Sequence, residues 1–207
     1  GQLCAPLHPP AALGTRPRMA KLYFHYSTMN AGKSTLLLQA SYNYRERGMT
    51  TLLLIAALDT RAGPGRIASR IGISDDALAF GPDADLFDLI RREGAGTACV
   101  FVDEAQFLTP AQVWHLARVA DDLNLPVMAY GLRTDFRGEL FPGSAALLAL
   151  ADDLREVRTI CHCGRKATMV VRLGPDGRPV HEGAQIQLGG NESYVSLCRR
   201  HWCAAMA

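Results

Sequence analysis

Apolar residues along the chain fall in short blocks separated by segments of helical spacing. Residues 21–26 (KLYFHY) are aromatic-rich and break into small residues, as a strand feeding a turn does. Residues 34–47 follow with Leu36, Leu37, Gln39, Ala40 and Tyr44 at helical spacing, and Gly48 stands where a C-terminal cap glycine belongs. Residues 51–57 (TLLLIAA) are continuously apolar, which predicts a strand covered on both faces. Residues 58–80, rich in Gly, Arg and Ser, predict a functional loop ending in a short strand. A helix is predicted over 83–92 with Asp83 as its cap.

Residues 98–102 predict a second buried strand, stopped by Asp103 and Glu104. Thr109 supplies an N-cap and Pro110 a first helical position, opening a helix to Ala120, and residues 126–130 predict another strand. Apolar strands alternating with helices imply an α/β fold on a parallel sheet with right-handed crossovers. From about Thr159 the character changes: cysteines cluster, a GPDG turn at 174–177 separates two short alternating stretches, and CRRHWC follows at 198–203. This predicts a main domain over 19–157 and a small β-rich appendage over 158–207.

Composition agrees with that division. The 207 residues are 48% hydrophobic and 20% charged, an ordinary globular balance that suits one medium domain with an appendage. Twenty-two basic against twenty acidic residues give a formal charge of +2, too even for a protein whose main work is neutralising a nucleic-acid backbone. The longest apolar runs, 52–58 and 145–151, fall far short of the roughly 20 residues a bilayer span needs. Residues 1–18 hold four prolines, no period and no signal-peptide core; they predict a disordered tail, with Met19 starting the folded part. A reducing cytoplasm follows as the expected compartment, so the six cysteines read as metal ligands or thiols rather than disulfides.

Three segments carry candidate chemistry. Residues 27–35, STMNAGKST, lie between the first strand and the first helix. Their AGKS matches the end of the phosphate-loop pattern G-x-x-x-x-G-K-[ST], with Ser27 in place of the first glycine. Only three lysines occur in the chain (Lys21, Lys33 and Lys166), which makes Lys33 inside that loop notable. Residues 98–104, ACVFVDE, form an apolar strand ending in two acids. Beside a phosphate loop, Asp103 suits a Mg²⁺ ligand and Glu104 a proton acceptor; alone the pair reads equally as a solvated strand end. Third, Cys161 and Cys163 followed by Cys198 and His201 have the composition of a four-ligand structural Zn²⁺ site. The C-x-C spacing is tight, which leaves open that His162 takes part or that the thiols are metal-free. Cys4, Cys99 and Cys203 have no partner at ligand spacing.

Weaker candidates depend on these. Asp59 and Arg61 follow the second strand at the carboxyl edge, where ligands gather in such sheets. Phe107, Phe136 and Tyr194 have the chemistry to stack on a planar base, although aromatics mostly serve the core. His25 and His115 read as structural, Trp114 as core, and Arg199 and Arg200 as solvent-facing.

With these segments in order, the chain resembles the cytosolic thymidine kinase family, particularly its bacterial members. The resemblance rests on YSTMNAGKST (26–35), DTR (59–61), VDEAQFL (102–108), YGLRTDFRGELF (130–141) and GGNESYVSLCRRH (189–201). It implies a P-loop (RecA-like) nucleotide-binding domain with a small C-terminal zinc-ribbon-like β domain, the lasso domain. The implied activity is transfer of the γ-phosphate of ATP to the 5′-hydroxyl of thymidine.

By the same resemblance ATP is held by Ser27, Thr28, Met29, Asn30, Ala31, Gly32, Lys33, Ser34, Asp103, Glu104, Ala105 and Gln106, and Mg²⁺ by Ser34, Asp59 and Asp103. Glu104, Lys33 and Arg61 are the implied catalytic residues. Thymidine is met by Met29, Phe107, Phe136, Tyr194 and the backbone of Gln187, Leu188 and Gly189, and zinc by Cys161, Cys163, Cys198 and His201. The family's commoner spacing is C-x-x-C, from which this chain departs. A cytoplasmic homotetramer, dTTP as feedback inhibitor, and neither nucleic acid nor membrane as partner are also implied. A phosphate-loop ATPase whose zinc appendage binds nucleic acid is the competing reading.

Overall fold

The computed structural model describes residues 19–56, 65–185 and 194–207; the tail expected over 1–18 lies outside them. Strand β1 (Leu22–Ser27) leads into helix α1 (Lys33–Arg45), which is closed by hydrogen bonds from Gly48 and Met49 back to Arg45 and Tyr44. Then come β2 (Thr50–Ala56), β3 (Arg66–Ala68), β4 (Ser74–Asp76), β5 (Leu78–Phe80), α2 (Leu86–Glu93), β6 (Thr97–Asp103) and a 3₁₀ turn at Ala105–Phe107. α3 (Pro110–Asp122), β7 (Val127–Leu132), α4 (Pro142–Leu150) and β8 (Asp153–Glu156) follow.

A six-stranded sheet runs in the order β5-β2-β6-β7-β1-β8, every neighbouring pair parallel. Period-two alternation splits its side chains between two faces. Val100 and Val102 of β6 join Leu22, Phe24 and Ala129 in a core covered by α2, α3 and α4, whereas Cys99 and Phe101 join Leu53, Ile55 and Tyr130 under α1. Helices on both faces are what an all-parallel sheet requires. Register sets Ser27 opposite Leu132 and Ile55 opposite Asp103, so the carboxyl ends of β1, β2, β6 and β7 open on one edge.

Several local expectations are corrected. Asp85, not Asp83, caps α2, accepting the Asp88 N–H at 3.0 Å, because Asp83 sits in a turn closed from Ala84 N–H to the Gly81 carbonyl. His115 takes the Leu86 N–H at 3.3 Å, which satisfies another amide of that helix end. Trp114, expected in the core, is 58% exposed: α3 buries Val113, Leu116, Val119 and Ala120, and Trp114 falls just off that stripe. The predicted loop before β5 contains an antiparallel hairpin, β3–β4, anchored by fully buried Ile67 and by an Arg45–Asp75 ion pair at 2.6 Å.

The remaining strands do not join the large sheet. β9 (Thr159–Ile160) pairs with β10 (Lys166–Ala167), and β11 (Met169–Arg172) with β12 (Tyr194–Leu197), before α5 (Arg199–Ala205). Their small core is Cys161, Ala167, Val171, Leu197 and Cys198, with Trp202 against it. Ser196 Oγ donates to the Met29 carbonyl at 2.7 Å, and the Trp202 indole N–H to that of Phe136 at 3.1 Å, tying this unit to the loop edge. No helix among the described residues is long and apolar enough to cross a membrane.

Candidate functional site

The site begins where β1 ends. After Ser27 the chain turns through Asn30 (φ 61°) and Gly32 (φ 84°) into α1, whose N-terminus has no side-chain cap and no acid in its first turn. Such an end presents backbone N–H groups and the positive pole of the helix, the arrangement that receives phosphate. Lys33 Nζ folds back over the loop, donating to Ser27 Oγ at 3.1 Å and the Thr28 carbonyl at 3.2 Å. Ser34 Oγ donates to Asp103 Oδ2 at 2.8 Å, joining the loop to the end of β6.

β6 delivers the two acids in different conformations. Asp103 completes the strand; its Oδ1 accepts the Glu104 N–H at 3.0 Å. Glu104 is left-handed (φ 52°, ψ 40°), a sparsely populated state for a residue with a Cβ, and starts the 3₁₀ turn. Both carboxyl groups are largely buried. They line a cavity of about 510 Å³ together with residues 29–35, Ile55 and Leu132. Two unconnected sequence segments, the phosphate loop and the acid pair, therefore meet in one space at the sheet edge.

Other candidates fall differently. Ser27, Thr28, Ala105 and Gln106 are buried beneath the cavity rather than lining it. Met29 lines it, whereas Phe107 packs edge-to-face on Phe141 (ring centroids 6.2 Å apart), and Phe136 is fully buried with the Arg172 guanidinium 4.0 Å from its ring centroid. Tyr194 is half-buried and pairs with Arg172 across β11–β12. Asp59, Arg61, Gln187, Leu188, Gly189 and Cys4 lie outside the described residues. Ser69, Arg70 and Ile71, at the tip of the β3–β4 hairpin, also line the cavity. Sequence reasoning missed them, because a hairpin tip reaches the phosphate loop only through tertiary packing; the one available signal was the Gly, Arg and Ser content of that stretch.

The second cluster is complete. One ligand atom each from Cys161, Cys163, Cys198 and His201 lies within 4.8 Å of all the others. Cys161 Sγ is 3.3 Å from His201 Nδ1, Cys198 Sγ is 3.5 Å from the same nitrogen, and the Cys163 and Cys198 sulfurs are 3.8 Å apart. The tight C-x-C pair is accommodated by a turn in which left-handed Gly164 (φ 80°) returns its N–H to the Cys161 carbonyl. Burial opposes ionisation of Cys161, but hydrogen bonds from the Cys163 and Cys198 amides and from His201 outweigh it and bring the thiol down to about 6. Three sulfurs and one imidazole, one sulfur readily ionised, make the donor set of a tetrahedral structural zinc site. His162 stays outside the four, stacked on His201 with ring centroids 4.3 Å apart.

The residues assigned as structural behave so. His25 is buried and stacks on Tyr130 at 4.3 Å; burial, then the nearby Arg155 charge, lower its pKa to about 4 against an opposing pull from Asp153. Cys99 is buried in β6, where burial raises its thiol to about 12. Cys203, Arg199 and Arg200 are exposed.

Known proteins share this framework. The family model described as thymidine kinase matches residues 20–202. The thymidine kinase of Ruegeria pomeroyi is 73% identical over 186 residues, covering 89% of this chain and 94% of that protein. Those of Rhizobium etli and Rhizobium meliloti are each 70% identical, over 187 and 188 residues, covering 89% of this chain and 94% and 96% of theirs. The match runs unbroken from β1 into α5, so loop, acid pair and metal cluster fall within one frame, and on that basis the chain belongs to the thymidine kinase family.

Proposed function

We propose that this chain transfers the γ-phosphate of ATP to the 5′-hydroxyl of thymidine, giving thymidine monophosphate for nucleotide salvage. The observation that carries the proposal is the single cavity shared by the uncapped α1 N-terminus, Lys33 and the Glu104 carboxyl group. Phosphoryl transfer needs positioning and charge stabilisation more than covalent help. The amides of residues 28–34 and the Lys33 ammonium hold and neutralise the ATP phosphates. Glu104 accepts the 5′-hydroxyl proton as the hydroxyl attacks the γ-phosphorus, and ADP leaves. Arg61 lies, on this reading, beside the transferring group.

The neighbouring Ser34 and Asp103 oxygens, 2.8 Å apart, fit a hard cation, and with Asp59 they would hold Mg²⁺. Bound there, Mg²⁺ supplies positive charge to the phosphate oxygens. Of the residues assigned to thymine, Met29 lines the cavity; Phe107, Tyr194 and main-chain groups at Gln187, Leu188 and Gly189 complete the set, with fully buried Phe136 behind it. Cys161, Cys163, Cys198 and His201 would hold zinc, which would fix the turn and helix of the second of two domains, 19–157 and 158–207. A cytoplasmic homotetramer inhibited by dTTP belongs to the same proposal.

Glu104→Gln tests the assignment of the base. ATP binding by calorimetry should stay within about threefold, while thymidine phosphorylation falls by about 100-fold or more. Full activity in the variant would remove Glu104 from the role.

A further inference from the structure

The family resemblance places Gln106 among the ATP contacts, yet it is only 2% exposed and does not line the cavity. Its two amide ends are both engaged. Oε1 accepts the backbone N–H of Leu132 at 3.0 Å, and Nε2 donates to Glu104 Oε2 in a short hydrogen bond. The first bond decides the second: a backbone N–H can only donate, so the oxygen must face β7 and the NH₂ must face Glu104. The amide therefore has one permitted orientation, set by the sheet.

The turn that carries it is confined as well. A Cβ on Gly131 would stand 2.9 Å from both the Gln106 N and Oε1, and one on Gly143 would stand 2.6, 2.7 and 2.9 Å from the carbonyls of Leu108, Ala105 and Gln106. Those neighbours are mainly backbone and cannot swing aside, so β7 and α4 press on the 3₁₀ turn from positions where only glycine fits. Glu104, held in a left-handed conformation, enters this clamped turn.

We infer that Gln106 is a positioning residue for the reaction: fixed by the Leu132 amide, it holds one oxygen of Glu104 so that the carboxylate meets the attacking hydroxyl in a set orientation. The inference rests on the kinase reading above. Gln106 touches neither nucleotide nor nucleoside; it acts on kcat through Glu104.

Two variants separate the two bonds. Gln106→Met keeps the volume and removes both, while Gln106→Glu retains an acceptor for Leu132 and replaces the amide donor with a second carboxyl group that can only share a proton with Glu104. Steady-state kinetics with ATP and thymidine varied in turn should show kcat lowered about 100-fold in each, the size of effect a misplaced reacting group produces, with both KM values within about twofold of wild type. Gln106→Asn, one methylene shorter, should recover little. A kcat within threefold of wild type in a folded Gln106→Met protein overturns the inference. So does a loss in kcat/KM carried by the KM for ATP, which would make Gln106 an ATP contact. Absence of thymidine phosphorylation by the wild type removes the functional reading and this one together, whereas active wild type with unaffected variants removes this one alone. Should the variants fail to fold, nitrogen-15 spectra of the wild type decide: the Gln106 side-chain NH₂ should be shifted and exchange-protected and should move in Glu104→Gln. A free-amide signal there overturns the inference.

Discussion

Lowering the pH from 7 to 5 should expose the cost of a buried imidazole under the phosphate loop. His25 lies in β1 two residues before Ser27, stacked on Tyr130, with its Nδ1 buried and unpaired. Its folded pKa is near 4, against an ordinary 6.5, so the neutral form is the one the native state accepts. As pH falls below 6.5 the unfolded chain takes up a proton that the native chain refuses until about pH 4, and stability is lost across that window. With those two values the loss between pH 7 and pH 5 is about 2 kcal/mol. Acid also acts on the rest of the molecule, the cysteine–histidine cluster included, so the assay is a difference. Urea unfolding of wild type and of His25→Phe, which keeps an aromatic ring against Tyr130, is measured at both pH values, and contributions from distant sites cancel. Wild type should lose about 2 kcal/mol more than His25→Phe. Parallel losses would show that His25 is protonated in the native state and that burial does not hold it neutral.

Two further outcomes follow from the geometry. Metal analysis should find about one equivalent of zinc, and chelation or Cys163→Ser should lower the thermal midpoint and activity together; a metal-free protein with unchanged midpoint and activity would refute a structural site. Gly143→Ala should destabilise by about 1 to 3 kcal/mol in urea unfolding, because its Cβ would meet three backbone carbonyls under 3.0 Å away; a neutral result would mean the turn at Ala105–Phe107 is free to shift.

What the sequence discloses depends on how local the determining physics is. The phosphate loop and the acid pair are each contiguous, and the four candidate metal ligands fall in two close pairs 35 residues apart, so residue type and local spacing reveal the pieces, and the structure brings each set together. Periodicity likewise marks β1, α1, β2, β6, α3 and β7, because each buries a face or a whole strand. The order of strands is not written locally: β7 separates β1 from β6, and only packing of the crossover helices decides that. Short elements were equally hidden. β3, β4 and β8 are three or four residues long, stabilised by distant partners such as the Arg45–Asp75 pair. Trp114 shows the limit of residue type, since a large aromatic one position off a helical stripe stays in solvent. The role inferred for Gln106 needed the Leu132 amide to orient it, a contact across 26 residues that no spacing rule predicts.

The most direct test of the whole reading is transfer of labelled γ-phosphate from Mg·ATP to thymidine, deoxyuridine, deoxycytidine and deoxyadenosine, with a control lacking acceptor. Label should appear on thymidine and deoxyuridine and not on the other two, with little phosphate released in the control. Phosphate released without acceptor, with no labelled nucleoside, would contradict thymidine phosphorylation and leave a nucleotide hydrolase on this fold.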